Sequence, residues 1–140
     1  MSRFGYQAED LIYIGDSITD VEPLHFAKDE GGLAVSFNGN NYALDEASVA
    51  VISNNTLILS LLADLFKREG TEKVLEFADS YAAHSQEALQ SYSLNSQLAP
   101  QLSHTHTQLE VVTPHNLERL KSESGEFRKH IRGESIGGLG

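Results

Sequence analysis

The sequence lacks cysteine and tryptophan altogether, and it has one methionine and three prolines in 140 residues. The absence of cysteine excludes disulfide bonds and thiolate metal sites. Basic residues are also few: ten Lys and Arg stand against twenty Asp and Glu, which gives a formal net charge of −10. A chain this acidic is not expected to bind nucleic acid or an anionic membrane surface.

Long apolar runs are missing too. The longest, residues 57–66, contains Ser60 and Asp64, whereas a membrane-spanning helix needs about 20 predominantly apolar residues. The amino terminus does not resemble a secretory signal, because Glu9 and Asp10 precede the first apolar stretch. We therefore expect a cytoplasmic protein with no membrane attachment.

The first half of the sequence alternates between strand and helix patterns. Short apolar runs rich in β-branched residues predict buried strands at about 10–14, 33–37 and 49–53. A helix is predicted over 21–29, with Gly31 and Gly32 ending it, and a short one within 42–47. This order predicts an α/β fold with a sheet of about three parallel strands.

The second half has a mainly helical pattern. Apolar spacing and terminal residues predict helices over 57–69, 71–92 and 114–132, the last with Thr113 as its cap. Residues 93–107 have the composition of a loop, 109–112 predict a short strand or the approach to the last helix, and 133–140 a frayed tail. The mixed charges of the last helix, Arg128 among them, indicate a solvated face. We divide the chain into a core segment, 1–70, and a helical extension, 71–140.

The first strand leads into a turn with two carboxylates. Asp16 follows the strand directly, where open α/β sheets place their ligands, and Asp20 begins the next helix. Two anionic oxygen donors close to backbone N–H groups suit Mg²⁺ and a phosphate group. The alternative is that these carboxylates cap the helix that follows, and the two roles are compatible.

The order of apolar strand, Gly-Asp-Ser-Ile-Thr-Asp turn and helix resembles the fourth signature motif of the haloacid dehalogenase-like (HAD-like) phosphohydrolases. Residues 33–39 and 47–53 are similar to the two strands that follow it in the phosphoserine-phosphatase-like branch and its uncharacterised archaeal relatives. The resemblance implies part of a Rossmann-like core and a Mg²⁺-dependent phosphatase for small phosphomonoesters. It also implies that Asp16 is a Mg²⁺ ligand, that Asp20 is the second acidic residue of the metal site, and that Ser17 and Asn38 line the pocket.

Other motifs of that family cannot be assigned here. Its nucleophile and its general acid/base belong to an Asp-x-Asp-x-Thr/Val motif, and a Ser or Thr and a Lys complete the site. The remaining candidates, Asp45, Asp64 and Asp79, follow the turn and are in the wrong order. The resemblance thus implies the carboxy-terminal portion of a phosphatase, inactive alone and with no catalytic residue in this chain. The alternative is a non-catalytic oligomerisation module or a complementing subunit that keeps the fold.

The missing motifs have a structural consequence for the first strand. In the family, the nucleophile strand lies beside the strand that precedes the fourth motif. Without that neighbour, residues 11–14 form an apolar sheet edge, which favours association with another strand. We expect this edge to be covered by a second copy of the chain, by a partner carrying the missing amino-terminal half, or by the chain's own carboxy-terminal segment.

Overall fold

The computed structural model of the protein describes the backbone of residues 10–139 and the side chains of residues 10–131. Four strands form one sheet: β1 (Ile12–Gly15), β2 (Leu33–Phe37), β3 (Val49–Ser53) and β4 (Thr107–Val111). A 3₁₀ turn at Ile18–Asp20 follows β1. The helices are α1 (Val21–Asp29), α2 (Asn41–Asp45), α3 (Leu57–Glu69), α4 (Thr71–Ala83), α5 (Ser85–Ser91), α6 (Leu98–Leu102) and α7 (Leu117–Leu139).

The sheet has the strand order β1-β2-β3-β4. The first three strands are parallel, and β4 joins β3 in the antiparallel direction, with Leu109 opposite Val51. The predicted α/β fold with three parallel strands and a helical carboxy-terminal region is therefore confirmed. The stretch that the sequence left open as a strand or a helix approach is a strand, and it extends the sheet.

Helices cover both faces of this sheet. On one face, Val35 and Val51 pack with α3 and α4 in a large core that includes Leu61 and Phe77. On the other face, Ala34 packs against α1 and α2, and Ala50 against α2 and α7. Elements on both sides of residue 70 thus contact the same sheet. The predicted boundary at that residue stays a prediction.

Three predictions for the second half of the chain are wrong. The expected helix over 71–92 is two helices, because His84 leaves the helical region with φ −151° and ψ 88°. The expected loop over 93–107 contains α6, whose first turn accommodates Pro100, since a missing N–H is harmless there. The last helix begins at Leu117 and not at Pro114, and it continues to Leu139, past the predicted end at Arg132 and through most of the expected frayed tail. Residue 140 of that tail lies outside the described residues.

Strand β1 forms one edge of the sheet. Among residues 10–139, β2 is the only strand that pairs with it. Ile14 is 39% exposed there, and Ile18 and Phe26 nearby are also exposed. The sequence predicted this apolar edge; what covers it stays a prediction. No helix in the described part of the chain is both long and apolar enough to cross a membrane.

An exposed ion pair between α1 and the end of α2 gives a first testable expectation. Nδ1 of His25 lies 2.8 Å from a carboxylate oxygen of Glu46, and Asp29 lies 3.9 Å from the other ring nitrogen. The hydrogen bond with Glu46 is the main cause that raises the pKa of His25 above 6.5. The pair therefore stabilises the fold below about pH 6.5, and this stabilisation is lost as the pH rises through the folded-state pKa.

We expect Glu46→Gln to lower the pKa of His25 in a ¹H–¹³C NMR titration of the ring. Asp29→Asn is the matched control and should lower it less, because the Asp29 carboxylate is farther away. Equal shifts in the two variants would contradict the assignment of the pKa change to the Glu46 hydrogen bond.

Candidate functional site

The carboxyl ends of the parallel strands bring several of the predicted site residues to one edge of the sheet. Asp16 and Ser17 follow β1, and Asn38 follows β2. The backbone N–H of Asn40 donates a 3.0 Å hydrogen bond to the carbonyl of Asp16, which joins the two turns. The predicted residues thus lie together, as expected for a ligand site of a parallel α/β sheet.

The Asp20 carboxylate is turned back onto the end of β1. Its Oδ2 accepts hydrogen bonds from the backbone N–H groups of Asp16 (2.9 Å) and Ser17 (3.1 Å), and its Oδ1 accepts one from the Tyr13 hydroxyl (2.8 Å). These bonds, that of Asp16 first, hold the pKa of Asp20 below its usual value. The hydrogen bond between the Tyr13 hydroxyl and Asp20 raises the pKa of Tyr13. The Asp20 side chain makes no capping hydrogen bond to α1. It closes the 3₁₀ turn that precedes α1, because it accepts from the N–H of Ser17 at the start of that turn.

Gly15 makes this turn sterically possible. A Cβ at Gly15 would lie 2.5 Å from both Cβ and Cγ of Asp20, well inside van der Waals contact. A side chain there would push the carboxylate away from the two backbone N–H groups. The Gly-Asp-Ser-Ile-Thr-Asp motif thus encodes a compact turn in which the last residue fixes the backbone of the second and third, Asp16 and Ser17.

Asp16 presents the more accessible carboxylate. Its side chain is 60% exposed, and its Oδ2 lies 3.9 Å from Nη1 of Arg128. Ser17 is half-buried beside it, and its hydroxyl oxygen lies 3.0 Å from that of Thr19. Of the two predicted metal ligands, Asp16 faces solvent, while both oxygens of Asp20 already accept hydrogen bonds.

Asn38 is placed at the site but holds the sheet together with its side chain. Its amide donates to the Ser53 carbonyl (2.8 Å) and accepts from the Ser53 N–H (2.9 Å). Its φ of 51° is in the left-handed region, which asparagine tolerates better than most residues. The atom of Asn38 that contacts the rest of the site is its backbone carbonyl, which accepts a 2.6 Å hydrogen bond from Arg128.

Arg128 is the site residue that sequence reasoning missed, because it was assigned to the solvated face of the last helix. Its Nη1 donates to the carbonyls of Asn38 (2.6 Å) and Asp16 (3.4 Å), and its side chain is only 28% exposed. One turn earlier, the buried Ser124 hydroxyl donates a 2.6 Å hydrogen bond to the Gly39 carbonyl. The spacing of Leu120, Ser124 and Arg128 was the available signal, because residues four apart share one helix face.

The carboxylates at the end of β1 do not form a complete metal site within the described residues. Among them there is no group of three or more His, Cys, Asp or Glu side chains that could hold a metal ion. Mg²⁺ prefers six oxygen ligands in octahedral geometry and retains several waters. Asp16 could supply one of these ligands directly, and Asp20 positions the turn that carries it. The other ligands would come from water or from groups outside the described residues.

Comparison with known proteins gives one structural likeness. The chain superposes with a TM-score of 0.60 on the gene product AF1437 from Archaeoglobus fulgidus, at 26% sequence identity. The match covers 86% of this chain and 31% of that one, so the chain spans about a third of the length of its structural relative. No protein-family model matches the sequence, and no curated protein matches it.

Proposed function

We propose that this chain forms the carboxy-terminal portion of a Mg²⁺-dependent, HAD-like phosphatase that acts on a small phosphomonoester. In this proposal the chain contributes part of the metal and phosphate site but no nucleophile, and it is inactive alone. The observation that carries the proposal is the exposed Asp16 carboxylate at the carboxyl end of β1, on a residue whose backbone N–H is fixed by Asp20.

The two acidic residues have different roles in this proposal. Asp16 binds Mg²⁺ directly, because its carboxylate is exposed. Asp20 is a positioning residue: it fixes the backbone of Asp16 and Ser17 through their N–H groups. Ser17 lines the pocket. Asn38 takes part through its backbone carbonyl, which accepts the hydrogen bond that holds Arg128. When bound, Mg²⁺ would neutralise charge on a phosphate group.

The unpaired outer edge of β1 supports the proposal that the active site is incomplete in this chain. A strand from the rest of the enzyme would pair there, next to Asp16, and would cover Ile14. The size of the structural relative agrees with this, because the chain matches 31% of a longer protein. The missing part would belong to the same polypeptide or to a separate one, and the assembly is expected in the cytoplasm.

A second candidate is favoured by the same exposed edge. The chain would then be a non-catalytic module that keeps the fold and associates with a second copy or a complementing subunit through β1. Exposed sheet edges with apolar side chains favour such strand pairing. The two candidates differ in whether Asp16 binds a metal ion.

The test is a titration of the full chain with Mg²⁺, in which binding is monitored through the backbone amide NMR signals of residues 15–20. We expect weak binding, with a dissociation constant of about 1 mM or above. Asp16→Asn should weaken it by at least about tenfold, a loss of about 1.4 kcal/mol. Asp29→Asn, which removes an exposed carboxylate of α1, is the control and should leave binding unchanged.

A phosphatase assay and light scattering complete this test. The isolated chain with Mg²⁺ should not hydrolyse a generic phosphomonoester. Turnover that Asp16→Asn abolishes would contradict the proposed dependence on a missing half. Failure of Mg²⁺ to perturb residues 15–20, together with self-association in light scattering, would favour the non-catalytic module.

A further inference from the structure

We infer that Arg128 of α7 binds the phosphate group of the ligand at this site. The inference rests on the proposed function for the identity of the ligand as a phosphomonoester. The contact itself is argued from the hydrogen bonds of the guanidinium group, the cleft beside it and the charges that surround it.

The guanidinium group of Arg128 is held in place but only partly used. Nη1 donates to the carbonyls of Asn38 and Asp16, which accounts for its two N–H bonds. The Nε–H and the two Nη2–H groups have no acceptor among the described residues. The Nε–H and one of the Nη2–H groups form the edge that pairs with phosphate through two parallel hydrogen bonds. The carbonyls thus orient the arginine, and no side chain or backbone acceptor of the described residues occupies its phosphate-binding edge.

A cleft lies next to this group. It has a volume of about 280 Å³ and is lined by Asn40, Asn41, Tyr42, Gly125, Arg128 and Lys129. Small-molecule pockets usually occupy about 300–1,000 Å³, so this cleft suits a small ligand. The exposed Tyr42 ring provides an apolar surface for the rest of the molecule. The strand-end turns and the cleft meet at Arg128.

The charges at this location have opposing effects on an anion. Two adjacent cations, Arg128 and Lys129, lie beside the cleft in a chain with a net charge of −10. The exposed Asp16 carboxylate, 3.9 Å from Nη1 of Arg128, opposes the binding of an anion. The two residues should therefore have opposite effects on phosphate: Arg128 attracts it, and Asp16 repels it unless a cation neutralises the carboxylate.

The test is a titration of the full chain with inorganic phosphate in the absence of divalent cations. Binding is monitored through the ¹H–¹⁵N NMR signals of the backbone and of the Arg128 Nε–H. In the wild type, phosphate should shift the Arg128 Nε–H signal and the amides of residues 40–42. Arg128→Gln should weaken binding about tenfold, as expected for the loss of hydrogen bonds to a charged group. Asp16→Asn should strengthen it about threefold.

Two variants serve as controls. Lys129→Gln removes the neighbouring cation, which is exposed and already paired with Glu126 at 3.7 Å, and should weaken binding less than about twofold. Arg128→Lys keeps the charge but loses the fork of N–H donors, and should weaken binding about threefold. If Arg128→Gln does not fold, the wild-type shifts and Arg128→Lys still decide the question.

Two results would overturn the inference. One is equal weakening of phosphate binding by Arg128→Gln and Lys129→Gln, which would indicate general charge attraction. The other is an Arg128 Nε–H signal that phosphate leaves unchanged in the wild type. The proposed function can fail separately. Phosphate binding that depends on Arg128, combined with Mg²⁺ binding that ignores Asp16→Asn, would leave an anion site without the phosphatase. Mg²⁺ binding that depends on Asp16, without a phosphate effect at Arg128, would leave the phosphatase proposal and remove the arginine from it.

Discussion

Phe77→Ala is expected to lower the free energy of unfolding by roughly 3–5 kcal/mol, the usual range for removing a buried phenylalanine. Phe77 lies in α4, and its side chain is completely buried. Its ring makes an edge contact with Tyr92 at 5.3 Å between centroids and a tilted contact with Tyr81 at 5.8 Å. The cavity left by the substitution would lie in the core that joins α3 and α4 to the sheet.

Urea unfolding followed by circular dichroism and by tyrosine fluorescence would measure this loss. Phe26→Ala is the matched control: the same substitution at a 47% exposed position should cost less than about 1 kcal/mol. Because Phe77 packs with residues of β2 and β3, both probes should report one transition. Separate transitions would show that 1–70 and 71–140 unfold independently.

Asp20→Asn is expected to destabilise the protein by about 2 kcal/mol at pH 7, because it disrupts three hydrogen bonds to a charged carboxylate. The effect should depend on pH in a defined direction. The lowered pKa of Asp20 means that the ionised carboxyl stabilises the fold above its ordinary pKa of 3.8. This stabilisation is lost as the pH falls through the folded-state pKa, so wild type and variant should converge in acid.

Denaturant unfolding at several pH values between 3 and 7 would test this. Asp16→Asn is the control at the same turn: its exposed carboxylate has only a 3.9 Å contact with Arg128 and should change stability by less than about 0.5 kcal/mol. A stability difference between wild type and Asp20→Asn that stays constant down to pH 3 would contradict the carboxylate-based explanation.

The three parallel strands could be predicted from the sequence because their signals are local. Each is a short apolar run with β-branched residues, and each has a glycine or an asparagine at its end or in the turn that follows. The Asp16–Asp20 turn was also visible, because its residues are close in sequence and the spacing alone brings them together. The different surroundings of the two carboxylates were not visible, because they depend on which N–H groups donate hydrogen bonds to Asp20.

The parts that were missed or left open depend on contacts between distant residues. Strand β4 has a weak apolar pattern, and its burial comes from pairing with β3 more than 50 residues earlier. The helix break at His84 has no glycine or proline to mark it. Arg128 lies in a charged stretch that is typical of a protein surface. Only the packing of α7 against the sheet brings it to the ends of β1 and β2.

The hydrogen bonds that attach α7 to the turn after β2 affect the order in which the site is assembled. They join residues 85 and 90 positions apart, Ser124 with Gly39 and Arg128 with Asn38. Contacts of such long sequence separation form slowly, because a large loop must close before they give any stabilisation. The carboxylate turn, by contrast, closes within five residues. During refolding, the carboxylate turn should therefore form before Arg128 reaches it.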